Sequence, residues 1–298
     1  MDLLTRLYLP FALPIIMATV GLSLSFTDLR RALLRPKALS CGLAGQVVVL
    51  PVAAFSLAAV FPVEPTTAVG LVIIAASPGS PLSNYLTHVS KGDTMLSIVV
   101  TVASSLIGVV TLPIIVRFAI DLFLPETASI NLPLASAVMS LIGFTMLPVM
   151  LGMTIRHFSP RLTRMLQRAV EPLSLMLFAG VLGAVLYAER DNLVGYFREA
   201  GTIVTVLNVV MMAVGYLMAK LARLPPGQRI AISLEVGLQN ATMAIFIALS
   251  LLGRMDLVVP AAAYRIIMLF TSSAFAGLMR WRMTKSARHQ EVAPAGLA

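Results

Sequence analysis

Nine apolar runs constrain this chain more than any other feature, at about 8–27, 38–61, 66–88, 94–120, 133–155, 172–188, 202–221, 228–252 and 257–279. Each comes close to the roughly 20 residues that a helix needs to cross about 30 Å of bilayer hydrocarbon. Within a bilayer only helices and closed barrels satisfy their own backbone, and the runs lack the alternation and short length of barrel strands. The expectation is an all-α integral membrane protein with about nine transmembrane helices. Composition agrees, since 58% hydrophobic and 12% charged residues, with a mean hydropathy of +0.93, lie far from a soluble domain.

The net charge of +9 is distributed by membrane side, so it does not point to nucleic acid. Arg30, Arg31, Arg35, Lys37, Lys91, Arg156, Arg161, Arg164, Arg168, Lys220, Arg223, Arg229, Arg280, Arg282, Lys285 and Arg288 fall on one side, 16 of the 22 basic residues. Arg6, Arg190, Arg198 and Arg254 fall on the other, and Arg117 and Arg265 lie inside runs. The excess of Lys and Arg in cytoplasmic loops puts the N-terminus outside and the C-terminus, with a tail over 281–298, in the cytoplasm. A bacterial plasma membrane is the expected location, with the arginines of loops and tail anchoring to anionic lipid. Pro10 and Pro14 interrupt the first run and Arg6 is a weak basic region, so that run is read as a span and not as a signal peptide. Cys41 stands alone, which excludes an internal disulfide and a thiolate metal cluster. The longest loop is expected at 156–172, with no soluble domain inserted.

Two spans carry polar residues near their midpoints. In "ASPGSPLSNYLTHVSKGD" (76–93), Pro78 and Pro81 flank Gly79 and Ser80, and a continuous helix is not expected because neither proline can donate a backbone hydrogen bond. In "EVGLQN" (235–240) a break at Gly237 is expected, though the sequence forces it less. The preceding span carries one amide in each case, Gln46 and Asn208, and the paired spans run in opposite directions. That pattern predicts an inverted repeat with two crossing discontinuous helices. The first repeat covers about 8–122 with four spans, and the second about 133–280 with five.

Glu235 is the one acid at the centre of a span, where a carboxylate costs about 2.5–3.5 kcal/mol on insertion scales. Around it the sequence offers only oxygen ligands: Gln239 one turn on, Asn240, Ser83 and Asn84 past the proline break, and a stripe of Thr94, Ser97, Thr101 and Ser104 at helical spacing. Zinc and copper prefer nitrogen or sulfur and calcium several carboxylates, so this donor set suits a monovalent cation, with sodium as the natural choice. The competing explanation for the hydroxyls is ordinary bonding between helices. The N-terminal ends of the half-helices, at Ser80, Pro81 and Leu82 and at Asn240, Ala241 and Thr242, favour an anion. Arg265 could meet a substrate carboxylate, neutralise Glu235 or snorkel outward. His88, His157 and His289 are expected at the interface or in solvent, and the 17 Met residues serve as packing filler.

The segments "PGSPLSNYLTHVSKGDTMLSIVVT" (78–101) and "ISLEVGLQNA" (232–241) resemble the two signature regions of the bile acid:sodium symporter family, and helix order extends the resemblance over essentially the whole chain. It implies a core domain and a panel domain, and transport of an organic anion, bile-acid-like or a small carboxylate, with two sodium ions as coupling ions and no other cofactor. By position it implies one sodium site at Ser83, Asn84, Ser97, Thr101 and Glu235. A second would comprise Gln46, Glu235, Val236, Leu238 and Gln239, with Val236 and Leu238 giving backbone carbonyls. The chain departs from the family pattern in starting at the family's second helix, in Pro81, and in Arg265 and Met268. The alternatives are a proton-coupled or exporting carrier of the same fold, and a non-transporting receptor or intramembrane enzyme. An enzyme should bring a nucleophile with its base, or a metal set, and the spans contain neither.

Overall fold

A computed structural model describes residues 9–23, 25–27, 30, 36–125, 134–188 and 193–292. Of the charges counted above, Arg6, Arg31, Arg35 and Arg190 lie outside the described residues, as do the side chains of Arg198 and Arg288. The regular elements described are all helices. In chain order they are α1 (Leu9–Leu22), α2 (Pro36–Val60), α3 (Pro65–Ala76), α4 (Pro81–Val89), α5 (Thr94–Phe123) and α6 (Leu134–Phe158). There follow α7 (Pro160–Ala188), α8 (Leu193–Leu221), α9 (Pro226–Gly237), α10 (Ala241–Leu251) and α11 (Val259–Val292). Over 36–60, 94–123, 134–158, 200–221 and 256–285 these helices are long and apolar enough to cross a membrane.

Prolines shape the long helices locally. In α2 the turn before Pro51 widens into a π-turn, with Leu50 N–H donating to the Gly45 carbonyl. In α6 the turn before Pro148 does the same, with Leu147 N–H donating to Ile142. A proline ring clashes with the carbonyl four residues back, and an extra residue in the turn moves that carbonyl aside.

One expectation about connections is corrected. Residues 160–172 are not a loop but the start of the 29-residue helix α7. The Ser159 hydroxyl accepts from Leu162 N–H at 3.3 Å, Thr163 faces inward, and Arg161, Arg164 and Arg168 face outward. The high charge of this stretch obscures an amphipathic helical period. The stretch from 281 to Val292 continues α11 as helix.

The helices pack in two groups. α1, α6 and α7 form one, in which the Leu22 carbonyl at the end of α1 accepts from Arg156 at 3.3 Å and Gln167 at 3.2 Å. α2 to α5 and α8 to α11 form the other, built around the buried faces of α3 and α9. Contacts between α5 and α6, α1 and α10, and α7 and α11 join the groups, as does the Phe144–Phe246 ring pair between α6 and α10 at 5.2 Å.

Candidate functional site

The two breaks meet. α3 ends at Ala76 and α4 starts at Pro81, while α9 ends at Gly237 and α10 starts at Ala241. Between them Gly79 and Gln239 pair as an antiparallel bridge. Ser80 N–H donates to the Leu238 carbonyl at 3.0 Å, and Asn240 N–H donates to the Pro78 carbonyl at 2.8 Å. Unwound backbone in the middle of a membrane protein must find partners, and here each extended strand supplies the other's.

The helix ends are capped in parallel ways. The Ser77 carbonyl, freed at the end of α3, accepts from Gln46 Nε2 at 3.1 Å. The Gly237 carbonyl, freed at the end of α9, accepts from Asn208 Nδ2 at 2.6 Å and from the Tyr264 hydroxyl at 2.9 Å. At the following starts, Ser80 Oγ accepts from Leu82 N–H at 3.3 Å and Asn240 Oδ1 accepts from Met243 N–H at 3.1 Å. The two amides singled out in the sequence therefore do the same job, each capping the carbonyl one residue before its unwound strand.

Glu235 is fully buried beside this crossing. Thr101 Oγ1 donates to its Oε1 at 2.5 Å, and Ser83 Oγ at 2.6 Å and Ser97 Oγ at 2.8 Å reach its Oε2. Asn84 Oδ1 lies 2.9 Å from Ser97 Oγ and 3.3 Å from Thr101 Oγ1. The same hydroxyls also reach the carbonyls of Ser80 and Ser97. The three hydroxyls thus converge on the two carboxylate oxygens and the Asn84 amide oxygen, while the Ser80 carbonyl that Ser83 Oγ also reaches already accepts from Ser83 N–H at 2.9 Å. Hydroxyl and amide oxygens gathered around one carboxylate offer lone pairs to a small cation. Among the described residues no group of three or more His, Cys, Asp or Glu is placed to hold a metal, so the cluster stays one of neutral oxygens around a single carboxylate.

Gly79 explains how the carboxylate fits. A Cβ at this position would run into Glu235 Oε1, so the strand can cross directly over the carboxylate only as glycine. At Gly237 the requirement is space too, since a Cβ there would strike the Met212 side chain; the unwound residues are the three that follow.

The second predicted set is also brought together, around amides. Gln46 Nε2 donates to Gln239 Oε1 at 2.5 Å, and Gln239 Nε2 donates to the Val236 carbonyl at 2.8 Å. The Leu238 carbonyl accepts from Ser80. Among the described residues no hydrogen bond joins Glu235 to Gln46 or Gln239; its bonds are to Ser83, Ser97 and Thr101. Of the hydroxyl stripe, Ser97 and Thr101 reach Glu235, whereas Ser104 donates to the Thr101 carbonyl at 3.0 Å.

Of the residues expected near an anion, Ser80 and Arg265 meet, with Nη1 3.4 Å from Ser80 Oγ. Asn240 is tied to the same strand through Pro78, and its Nδ2 lies 3.9 Å from Met17 Sδ of α1, where the two helix groups touch. Ala241 and Thr242 are buried, while Pro81 and Leu82 are half-buried. Three participants were not singled out in the sequence. Thr87 Oγ1 lies 3.4 Å from Ser97 Oγ, and its position one turn after Ser83 could have flagged it. Thr271 Oγ1 donates to Asn208 Oδ1 at 2.5 Å, and Tyr264 stands next to Arg265 as a buried hydroxyl that must find a partner.

Apolar helices of spanning length, two broken helices bonded to each other, and a buried oxygen cluster at their crossing define a multi-pass membrane protein. A profile of the Sodium Bile acid symporter family matches residues 10–196, and the chain belongs to that family. Among its relatives is an uncharacterized sodium-dependent transporter, YocS, of Bacillus subtilis, 27% identical over 81% of this chain and 73% of that protein. A probable chloroplastic sodium/metabolite cotransporter, BASS1, of Arabidopsis thaliana is 25% identical over 90% of this chain. The human P3 protein is 30% identical over 76%. The chain spans 65% of the length of the Arabidopsis protein and 47% of that of the human one.

Proposed function

We propose that the protein is a sodium-coupled symporter of an organic anion, bile-acid-like or a small carboxylate. The observation that carries this reading is the buried oxygen cluster around Glu235, where Ser83, Asn84, Ser97 and Thr101 converge on one carboxylate. A monovalent cation would balance the carboxylate and leave the buried site neutral. A second cation would sit among Gln46, Glu235, Val236, Leu238 and Gln239, whose amides and carbonyls already converge. The anion would meet the crossing on the side of Ser80 and Arg265, with Pro81, Leu82, Asn240, Ala241 and Thr242 lining the half-helix starts.

The matched capping of Ser77 by Gln46 and Gly237 by Asn208 supports two inverted repeats, about 8–122 and 133–280, within nine spans. The two packing groups fit a panel (α1, α6, α7) and a core that rock against each other, so that the crossing faces each side of the membrane in turn. With the N-terminus outside and the C-terminus in the cytoplasm of a bacterial cell, a membrane potential of about 100 mV contributes about 2.3 kcal/mol per net positive charge carried inward.

The test is uptake of candidate anions into proteoliposomes under separately imposed sodium and pH gradients. A sodium gradient should drive uptake of at least one anion, and Glu235→Gln, which keeps the shape and removes the charge, should reduce that component to background. Uptake driven by the pH gradient alone would reject sodium coupling in favour of a proton-coupled carrier.

A further inference from the structure

The start of α7 carries Arg161, Arg164 and Arg168. At 3.6 residues per turn these positions fall within about 60° of one another around the axis, on the face away from the buried Thr163. All three are exposed, and a cleft of about 420 Å³ opens between them, floored by Met165 and Ala169. That volume lies in the range of about 300–1,000 Å³ usual for sites that hold a small ligand.

The cleft has a single sign of charge. Among the described residues no carboxylate or carbonyl pairs with any of the three guanidiniums. Each presents a planar fork of N–H donors that fits a phosphate, and each stays charged. The one acid between 157 and 188 is Glu171, whose side chain lies outside the described residues, so the segment keeps a surplus of positive charge whatever Glu171 does.

What lies beside the cleft selects the kind of anion. From Met165 and Ala169 the same side of the helix continues through Pro172 to Met176, all exposed, into the apolar run at 172–188. Arg168 stands four residues, about 6 Å, before that run, at the depth of lipid headgroups, with Arg164 and Arg161 one and two turns farther out. A phosphate seated between the guanidiniums would therefore leave an attached acyl chain lying along Ala169, Pro172 and Met176. A soluble phosphate would have no use for that apolar side.

We propose that this cleft binds the headgroup of an anionic phospholipid, with phosphate oxygens held by Arg161, Arg164 and Arg168. The three arginines extend over about 10 Å of helix, so a lipid with two phosphates fits them better than a lipid with one. The site belongs to the smaller helix group. Gln167, a neighbour of Arg168 in the chain, donates to the Leu22 carbonyl at 3.2 Å, so a lipid held here fastens the start of α7 and, through it, the end of α1. Its occupancy does not depend on what binds at Glu235.

The experiment titrates delipidated full-length protein in neutral detergent with cardiolipin, with phosphatidylglycerol at matched phosphate, with phosphatidylcholine and with inorganic pyrophosphate. Bound lipid is counted by native mass spectrometry while thermal unfolding is followed. One cardiolipin per chain should be retained, and near saturation it should raise the unfolding midpoint by about 3 °C or more, with smaller shifts or none from the other three. The triple variant Arg161→Gln/Arg164→Gln/Arg168→Gln should bind cardiolipin about 100-fold more weakly. Without lipid it should unfold within about 1 °C of the unmodified protein, because exposed side chains away from packing contribute little to stability. Arg280→Gln/Arg282→Gln/Lys285→Gln removes the same charge from exposed positions of α11 and should bind cardiolipin within about threefold of the unmodified protein. Equal loss in the two triple variants would reduce the effect to general attraction and overturn the site. A shift from pyrophosphate as large as that from cardiolipin would make the ligand a soluble phosphate compound, and equal binding of phosphatidylglycerol would overturn the two-phosphate assignment. No retained cardiolipin would overturn the proposal outright.

Discussion

Residues 77–80 and 237–240 perform the same manoeuvre in the two halves of the chain, yet only the first has prolines, one within it at 78 and one just after it at 81. In the first strand the missing N–H groups rule out a continuous helix before any tertiary contact forms. In the second, Gly237, Leu238, Gln239 and Asn240 could all remain helical at modest cost. There the break is held from outside, by Asn208 and Tyr264 on the Gly237 carbonyl and by the two bonds to the first strand. The strand with the weaker local signal thus has the larger set of capping groups, and it follows Glu235 directly in the chain, whereas the first strand crosses over the carboxylate.

Four substitutions, in three experiments, bear on that contrast. Gly79→Ala should have the largest effect, because its Cβ would displace the Glu235 carboxylate from under the first strand. Sodium-driven uptake should fall about 100-fold, comparable to a buried charge pair losing several kcal/mol of its fit, while size-exclusion chromatography in detergent still shows folded protein. Uptake within twofold of the unmodified protein would mean that the strand and carboxylate need not touch. Next comes a double-mutant cycle on the second strand. Asn208→Leu or Tyr264→Phe alone leaves one donor on the Gly237 carbonyl and should cost about 1 kcal/mol in thermal or denaturant stability. Both together leave that carbonyl without either donor and should cost more than the sum by about 1–2 kcal/mol. Strict additivity would show that the break does not depend on these caps. Smallest is Pro81→Ala. Pro81 occupies the first turn of α4, where an N–H would be unpaired anyway, so stability should change by less than about 1 kcal/mol. A larger loss would make the proline, and not the bridge to Leu238, the element that holds the first strand open.

The residues show why the sequence was unevenly legible. Pro78 and Pro81 announce a break through covalent structure alone, and Glu235 announces a site through its cost in hydrocarbon, so both could be found without coordinates. The Gln46 and Asn208 pair was visible as a pattern, but its meaning, a cap on the carbonyl just before each strand, needed the crossing to be built. Gly79 looked like a dihedral relaxant between prolines. Its necessity comes from a residue 156 positions away, which no local rule reports. The first part of α7, before the expected span at 172–188, was missed for another reason: the eye follows hydropathy in a membrane protein, and the arginine-rich start of that helix has the right period with the wrong polarity.

The bridge between the strands also sets a schedule. Ser83 and Glu235 are 152 residues apart, and the partners of the first unwound strand lie slightly farther along the chain. A ribosome adding 5–20 residues per second makes that interval roughly 8–30 s, during which Gly79 and Ser80 have left the tunnel with no second strand to bond. Over that time water or the insertion machinery must satisfy their backbone, so the first half of this protein is membrane-inserted only provisionally until α9 and α10 arrive.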